Sequence, residues 1–185
     1  MRLMKTVFAA AIAAALPLTS QAAVVQLKVT VENLVPENGV AFAPLRVGFH
    51  SGVFDAFNIG QVANAAIISV AEGGSGADWF PAFAAADPGA LTGSILPNPA
   101  GPLLPGQSGT NTFTIDTDVN PFFTFASMVV PSNDFFIGND SPTEYRLFDT
   151  AGNLVINDIL QRAHEVWDAG SEIFDPAAAA FVGNN

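Results

Sequence analysis

From Val24 to Leu34 the chain reads VVQLKVTVENL, with Val25, Leu27, Val29 and Val31 on one side and Gln26, Lys28, Thr30 and Glu32 on the other. An apolar residue at every second position is the period of a strand with one buried and one wetted face. Other segments share this character. Leu45–Phe49 is a short apolar run between turn-rich stretches. Asn111–Asp118 (NTFTIDTD) alternates, whereas Phe122–Pro131 (FFTFASMVVP) is apolar almost throughout. The short gap between these two, which holds Pro121, predicts an antiparallel hairpin. Tyr145–Phe148 and Leu154–Ile156, either side of a Gly152-Asn153 turn, predict another. Ala177–Val182 reads as a closing strand, and 157–166 fits either a strand or a short helix.

Helical signals are few. Gln61–Ala71 (QVANAAIISVA) has helical spacing and is ended by the GGSG at 73–76. Asp78 is placed to cap a second stretch that runs through 83–86, with Pro81 in its first turn. Residues 88–109 carry five prolines and five glycines and predict an extended surface segment. Short strands, frequent turns and sixteen phenylalanines together predict an all-β sandwich with short helical inserts.

The N-terminus has a different logic. Arg2 and Lys5 precede an unbroken apolar run, Val7 to Leu16, that Pro17 ends; Ser20-Gln21-Ala22 then offers small residues for cleavage. This is the pattern of a secretory signal peptide over residues 1–22, so the domain is expected to occupy 23–185 and to be secreted, extracellular or periplasmic. The run is about half of what crosses a bilayer, and no later segment reaches that length, so no transmembrane span is expected.

Charge and composition then exclude whole classes of function. Without residues 1–22, four basic residues face seventeen acids, a formal charge of −13, which argues against nucleic acid and against unaided binding to anionic surfaces. The absence of cysteine removes disulfides, a thiol nucleophile and Cys-type metal sites. His50 and His164 are few for a histidine relay or a His-rich metal site. Ser75 and Ser108 sit in glycine-rich contexts, yet both lack the last Gly of G-x-S-x-G, and neither lies between a strand and a helix. Asp116-Thr117-Asp118-Val119-Asn120 opens like an EF-hand loop, but Pro121 stands where Gly is required and Ser127 where a bidentate Glu is required.

Nine of the seventeen acids fall between Asp134 and Asp175. Asp134 follows an apolar strand and a Pro-Ser-Asn turn, and Glu165, Asp168 and Glu172 lie in HEVWDAGSE. Clustered carboxylates on loops suit a hard cation such as calcium, which takes several oxygens at flexible spacing. On residues alone, a solvated acidic loop and a carboxylate pair for hydrolysis stand beside that reading.

Four segments resemble spondin domain proteins, the family of the N-terminal module of F-spondin and mindin, which also includes free-standing secreted bacterial forms. Asn33-Leu34-Val35-Pro36 with Ala43-Pro44-Leu45 resembles the family's opening, and Phe57-Asn58-Ile59-Gly60-Gln61 its F-x-x-G element. Residues 127–138, SMVVPSNDFFIG, are similar to SMIVPSPDWFVG, and WDAGSE at 167–172 is similar to YDAGTD/E. The resemblance implies a C2-like antiparallel β-sandwich with bound calcium. The family's calcium acids match Asp134, Asp168 and Glu172, with Glu in place of Asp at the last, and Glu165 matches a further acid of bacterial members. It implies a non-enzymatic binding or adhesion module for an extracellular polysaccharide, lipid or protein. A secreted hydrolase using the same carboxylates is the alternative. The lack of cysteines and of thrombospondin repeats departs from the animal proteins.

Overall fold

The computed structural model describes residues 23–173, 175 and 177–181; the segment 1–22, expected to be a signal peptide, and Val182 of the expected closing strand lie outside them. Among the described residues, nine strands and two short helices follow in chain order. They are β1 (Val24–Glu32), β2 (Ala41–Phe42), β3 (Leu45–His50), α1 (Ala65–Gly73), α2 (Trp79–Ala86), β4 (Leu91–Ile95), β5 (Ser108–Asp116), β6 (Phe122–Val130), β7 (Phe135–Gly138), β8 (Tyr145–Arg146) and β9 (Val166–Asp168), the last preceded by a 3-10 turn at Ala163–Glu165. Every strand pairing is antiparallel.

Two sheets result, in a sandwich-like arrangement. The larger runs β4-β3-β6-β7-β9, with β2 and β8 also paired to β6; the smaller is β1 with β5 alone. The partition follows from side-chain pattern. Strand β6 is buried at every position but the first, so both of its faces are covered and it lies at the centre. Strand β5 buries only one face, through Phe113 and Ile115, and β1 likewise turns only Val25, Leu27, Val29 and Val31 inward. These two make a cover layer. Leu27 lies opposite Phe113 across the cover sheet, and the core beneath it holds Val47, Phe49, Phe123 and Phe125.

The predicted hairpin between the 111–118 and 122–131 strands does not form. Strand β5 pairs with β1 and β6 pairs with β3, so the connection carries the chain from one sheet to the other. Asp116 Oδ1 accepts from the amides of Asp118 and Val119 and holds that connection in a turn, and Asn120 Nδ2 ties it to Phe49 O and Gly89 O. The 88–109 segment also differs from expectation. Its 91–95 portion is β4, paired to β3 from Leu45↔Ile95 to Phe49↔Leu91 despite the surrounding prolines. The second predicted hairpin reduces to one bridge, Phe148↔Leu154, because Tyr145 and Arg146 pair with β6 instead. The closing strand is likewise one bridge, Ser132↔Ala180.

Both helices cover the far face of the large sheet, where Ile67, Val70, Trp79 and Phe83 pack with Ala126 and Phe136. The first helix begins later than its periodicity predicts because Asn64 caps it: Asn64 Oδ1 accepts from Ile67 N at 3.0 Å. No described helix is long and apolar enough to cross a membrane.

Candidate functional site

Of the acidic residues singled out in the sequence, Asp134 and Asp168 lie at one edge of the large sheet. Pairing of β7 with β9 sets Phe135 opposite Asp168, so Asp134 and Asp168 lie at the same end of adjacent strands. Ser132 shapes the approach: its hydroxyl donates to Val129 O at 2.6 Å and accepts from Phe135 N at 3.2 Å. Asp134 is only 3% exposed. Its Oδ2 accepts from Ser171 N at 2.8 Å, Glu172 N at 3.0 Å and Ser171 Oγ at 3.3 Å. Its carbonyl accepts from Ala169 N at 3.2 Å. Asp168 Oδ1 turns back onto Gly170 N at 2.8 Å, which folds the Asp-Ala-Gly turn under the strand end.

Asp134, Asp168 and the backbone of Glu172 are therefore brought together, and Glu165 is not. It lies three residues before Asp168 in an extended stretch, about 10 Å away along the strand. Its carboxylate accepts from Arg162 N and closes the 3-10 turn.

The fit to calcium can be judged from the free oxygens. Among the described residues, no hydrogen bond occupies Asp134 Oδ1, Asp168 Oδ2 or the Glu172 carboxylate, so hard oxygen donors stand at this edge. Yet among the described residues no three His, Asp or Glu side chains gather closely enough to hold a metal ion. The edge as it stands supplies donors, not a formed cage.

A second polar cluster escaped the sequence reading. His50 is fully buried at the end of β3. Its Nδ1 accepts from Gly52 N at 3.1 Å, which leaves Nε2 to donate to Thr124 Oγ1 at 2.9 Å. Burial holds the imidazole down at about 4 from its ordinary 6.5, against an upward pull from Asp87. Asp87 Oδ2 accepts from Ser51 N at 2.8 Å and Ser51 Oγ at 2.7 Å, and Oδ1 from Gly89 N at 3.1 Å. Burial acts to raise the Asp87 carboxyl, but these bonds outweigh it and hold it below the usual carboxylate value. Ser, His and Asp are thus neighbours without triad geometry. The Ser51 hydroxyl is given to the carboxylate and the imidazole to Thr124, so no nucleophile–base bond exists between them. The only local signal was His50 at the end of a strand; Thr124 lies 74 residues from it, and Asp87 lies 36 from the Ser51 it binds.

A scan against protein-family models and a search of the curated proteins each returned no match for the chain.

Proposed function

We propose that this chain is an exported, non-enzymatic binding module of the spondin type that takes calcium at the Asp134 edge and meets an extracellular ligand there. The observation that carries the reading is the bonding of one Asp134 oxygen to the amides of Ser171 and Glu172, which joins the two motif segments across 37 and 38 residues. It leaves the other oxygen of a nearly buried carboxylate free at the strand end that Asp168 shares, and the reading requires the Asp168 and Glu172 side chains to turn toward it. Calcium tolerates such flexible oxygen sets. A bound ion also reverses the sign at the contact, which a chain this acidic needs in order to meet an anionic partner. Glu165, committed to its own turn, is the weakest candidate ligand.

The hydrolase alternative has less support. The buried acids spend lone pairs on backbone amides: Asp134 on the 171–172 loop, and Asp87 on Ser51 and Gly89. Calorimetric titration with calcium tests the proposal. One site is expected, weakened at least tenfold by Asp168→Asn. Adhesion to cells or matrix is expected to fall in chelator and in the same variant. Calcium binding unchanged by Asp168→Asn overturns the site, and ester, peptide or glycoside turnover abolished by Asp134→Asn overturns the non-enzymatic reading.

A further inference from the structure

The two sheets are not closed equally on both sides. On the β4–β5 side the layers meet. Pro97 bridges Gly109, Asn111 Nδ2 donates to Ser94 O at 3.0 Å, and a Cβ on Gly93 would meet the Phe113 ring at 2.8 Å. On the β1 side they part around a cavity of about 760 Å³. Its walls include Leu27, Val29 and Val31 of β1, Phe123 and Ile137 of the large sheet, and Ile156 of the segment that crosses the opening. No β5 residue lines it. It opens to the surface on one side and is a groove between the layers, not a sealed void. It falls in the range of about 300–1,000 Å³ that small-molecule sites occupy.

Three further observations indicate what fills it. Leu34, Leu154 and Leu160 line the same cavity and are 67%, 42% and 54% exposed, so its mouth is apolar as well as its walls. The part of β1 that lines it, Leu27 to Glu32, covers five strand steps, about 17 Å, which suits an extended chain. Gln161 also lines the cavity; its Oε1 has no hydrogen-bond partner and is shut off from the cavity space as the side chain stands, so a ligand donor meets it once the side chain turns. An unpartnered buried acceptor is costly, and a ligand donor satisfies it. Lys28 and Arg162 offset Glu32 and Asp158 on the lining, so the wall carries no net charge to hold an ionised head, and the acidity of the whole chain disfavours a carboxylate or phosphate.

We propose that this cavity binds a single-chain lipid with a neutral hydroxylated head, its tail between β1 and the large sheet and its hydroxyl donating to Gln161 Oε1. The site is separate from the Asp134 edge and does not depend on calcium. It makes the protein a carrier or sensor of a monoacylglycerol-like or fatty-alcohol-like molecule.

The test uses the purified protein and the neutral fluorescent probe N-phenyl-1-naphthylamine. The expected result is saturable binding at one equivalent, with displacement by monolauroylglycerol about tenfold tighter than by laurate of the same tail, the worth of one good hydrogen bond. Val29→Trp and Ile156→Trp fill the cavity from opposite walls and are expected to abolish probe binding while the far-ultraviolet circular dichroism is unchanged. Gln161→Leu, on a partly exposed segment, is expected to keep probe binding and to shrink the preference over laurate to within about twofold. Probe binding that persists in a folded tryptophan variant overturns the cavity assignment. Laurate binding as tightly as monolauroylglycerol, or a preference unchanged in Gln161→Leu, overturns the head-group assignment.

Discussion

Ser171 donates its backbone N–H to Asp134 Oδ2 at 2.8 Å across 37 residues of sequence, and the adjacent Glu172 N–H donates to the same oxygen at 3.0 Å. One carboxylate therefore holds the loop after β9 against the turn before β7. Asp134→Ala leaves two amides and a hydroxyl without their acceptor. It is expected to lower stability by about 2 kcal/mol, since bonds to a charged group are worth about 1.5–3 kcal/mol. A shift of the urea midpoint checks this. A midpoint within error of the parent would mean that the loop is held by other contacts.

Calcium is expected to raise the melting temperature. An ion that binds only the native state adds about 2.7 kcal/mol at a hundredfold excess over its dissociation constant. Differential scanning calorimetry with calcium and with chelator measures the difference, and Asp168→Asn, binding at least tenfold more weakly, is expected to cut it by about half or more. A melting temperature indifferent to both conditions would count against the ion.

His50 sets a pH window. Unfolded, the imidazole binds its proton near 6.5; folded, it does so only near 4. Between those values the unfolded state holds more protons, so stability falls as pH drops from 6.5 to 4, by up to about 1.4 kcal/mol per pH unit. Asp87 acts in a lower window, because its lowered carboxyl stabilises the fold above the ordinary carboxylate value and loses that effect as pH falls through the folded one. Urea denaturation at half-unit pH steps should show the upper slope in the parent and lose it in His50→Asn, with the lower one kept.

Gly48 of β3 lies directly beneath the Phe83 ring, and a Cβ there would meet Phe83 Cζ at 2.3 Å. Phe83 is fully buried and stacked on Phe54 at 3.8 Å, so the ring has little room to retreat. Gly48→Ala is expected to cost about 1–3 kcal/mol through overpacking. Adding Phe83→Leu should recover part of the loss in a double-mutant cycle, and strict additivity would show that the clash is relieved elsewhere.

Much of this architecture is legible in residue pattern. Alternation in 24–32 gives β1 its wet and dry faces, and apolarity broken only by Thr124 and Ser127 in 122–130 marks β6 as a strand covered on both sides. Asp78 stands at the start of the second helix but does not make the capping bond expected of it, and Asn64, which caps the first, was not singled out. Acidity and oxygen chemistry pointed to Asp134 and Asp168, which the fold does bring together. Glu165 carried the same chemistry and was drawn instead to the Arg162 amide three residues away, because a local bond closes at far lower entropic cost than a distant one.

What residue pattern determined by itself was which segments extend, which face of each is apolar, and which chemistries the composition excludes. A period of two assigns a side chain to a face but names no neighbour for the strand. Only the tertiary structure decided that β5 pairs with β1 rather than with β6, since a one-faced strand is satisfied in a cover layer and a two-faced strand only at the centre of a sheet. The same choice made the His50–Asp87 cluster, set Asp134 against the 171–172 amides, and left the sheets apart along β1. Each depends on groups far apart in the chain, whose meeting is settled by how the whole core packs and not by any local run of residues.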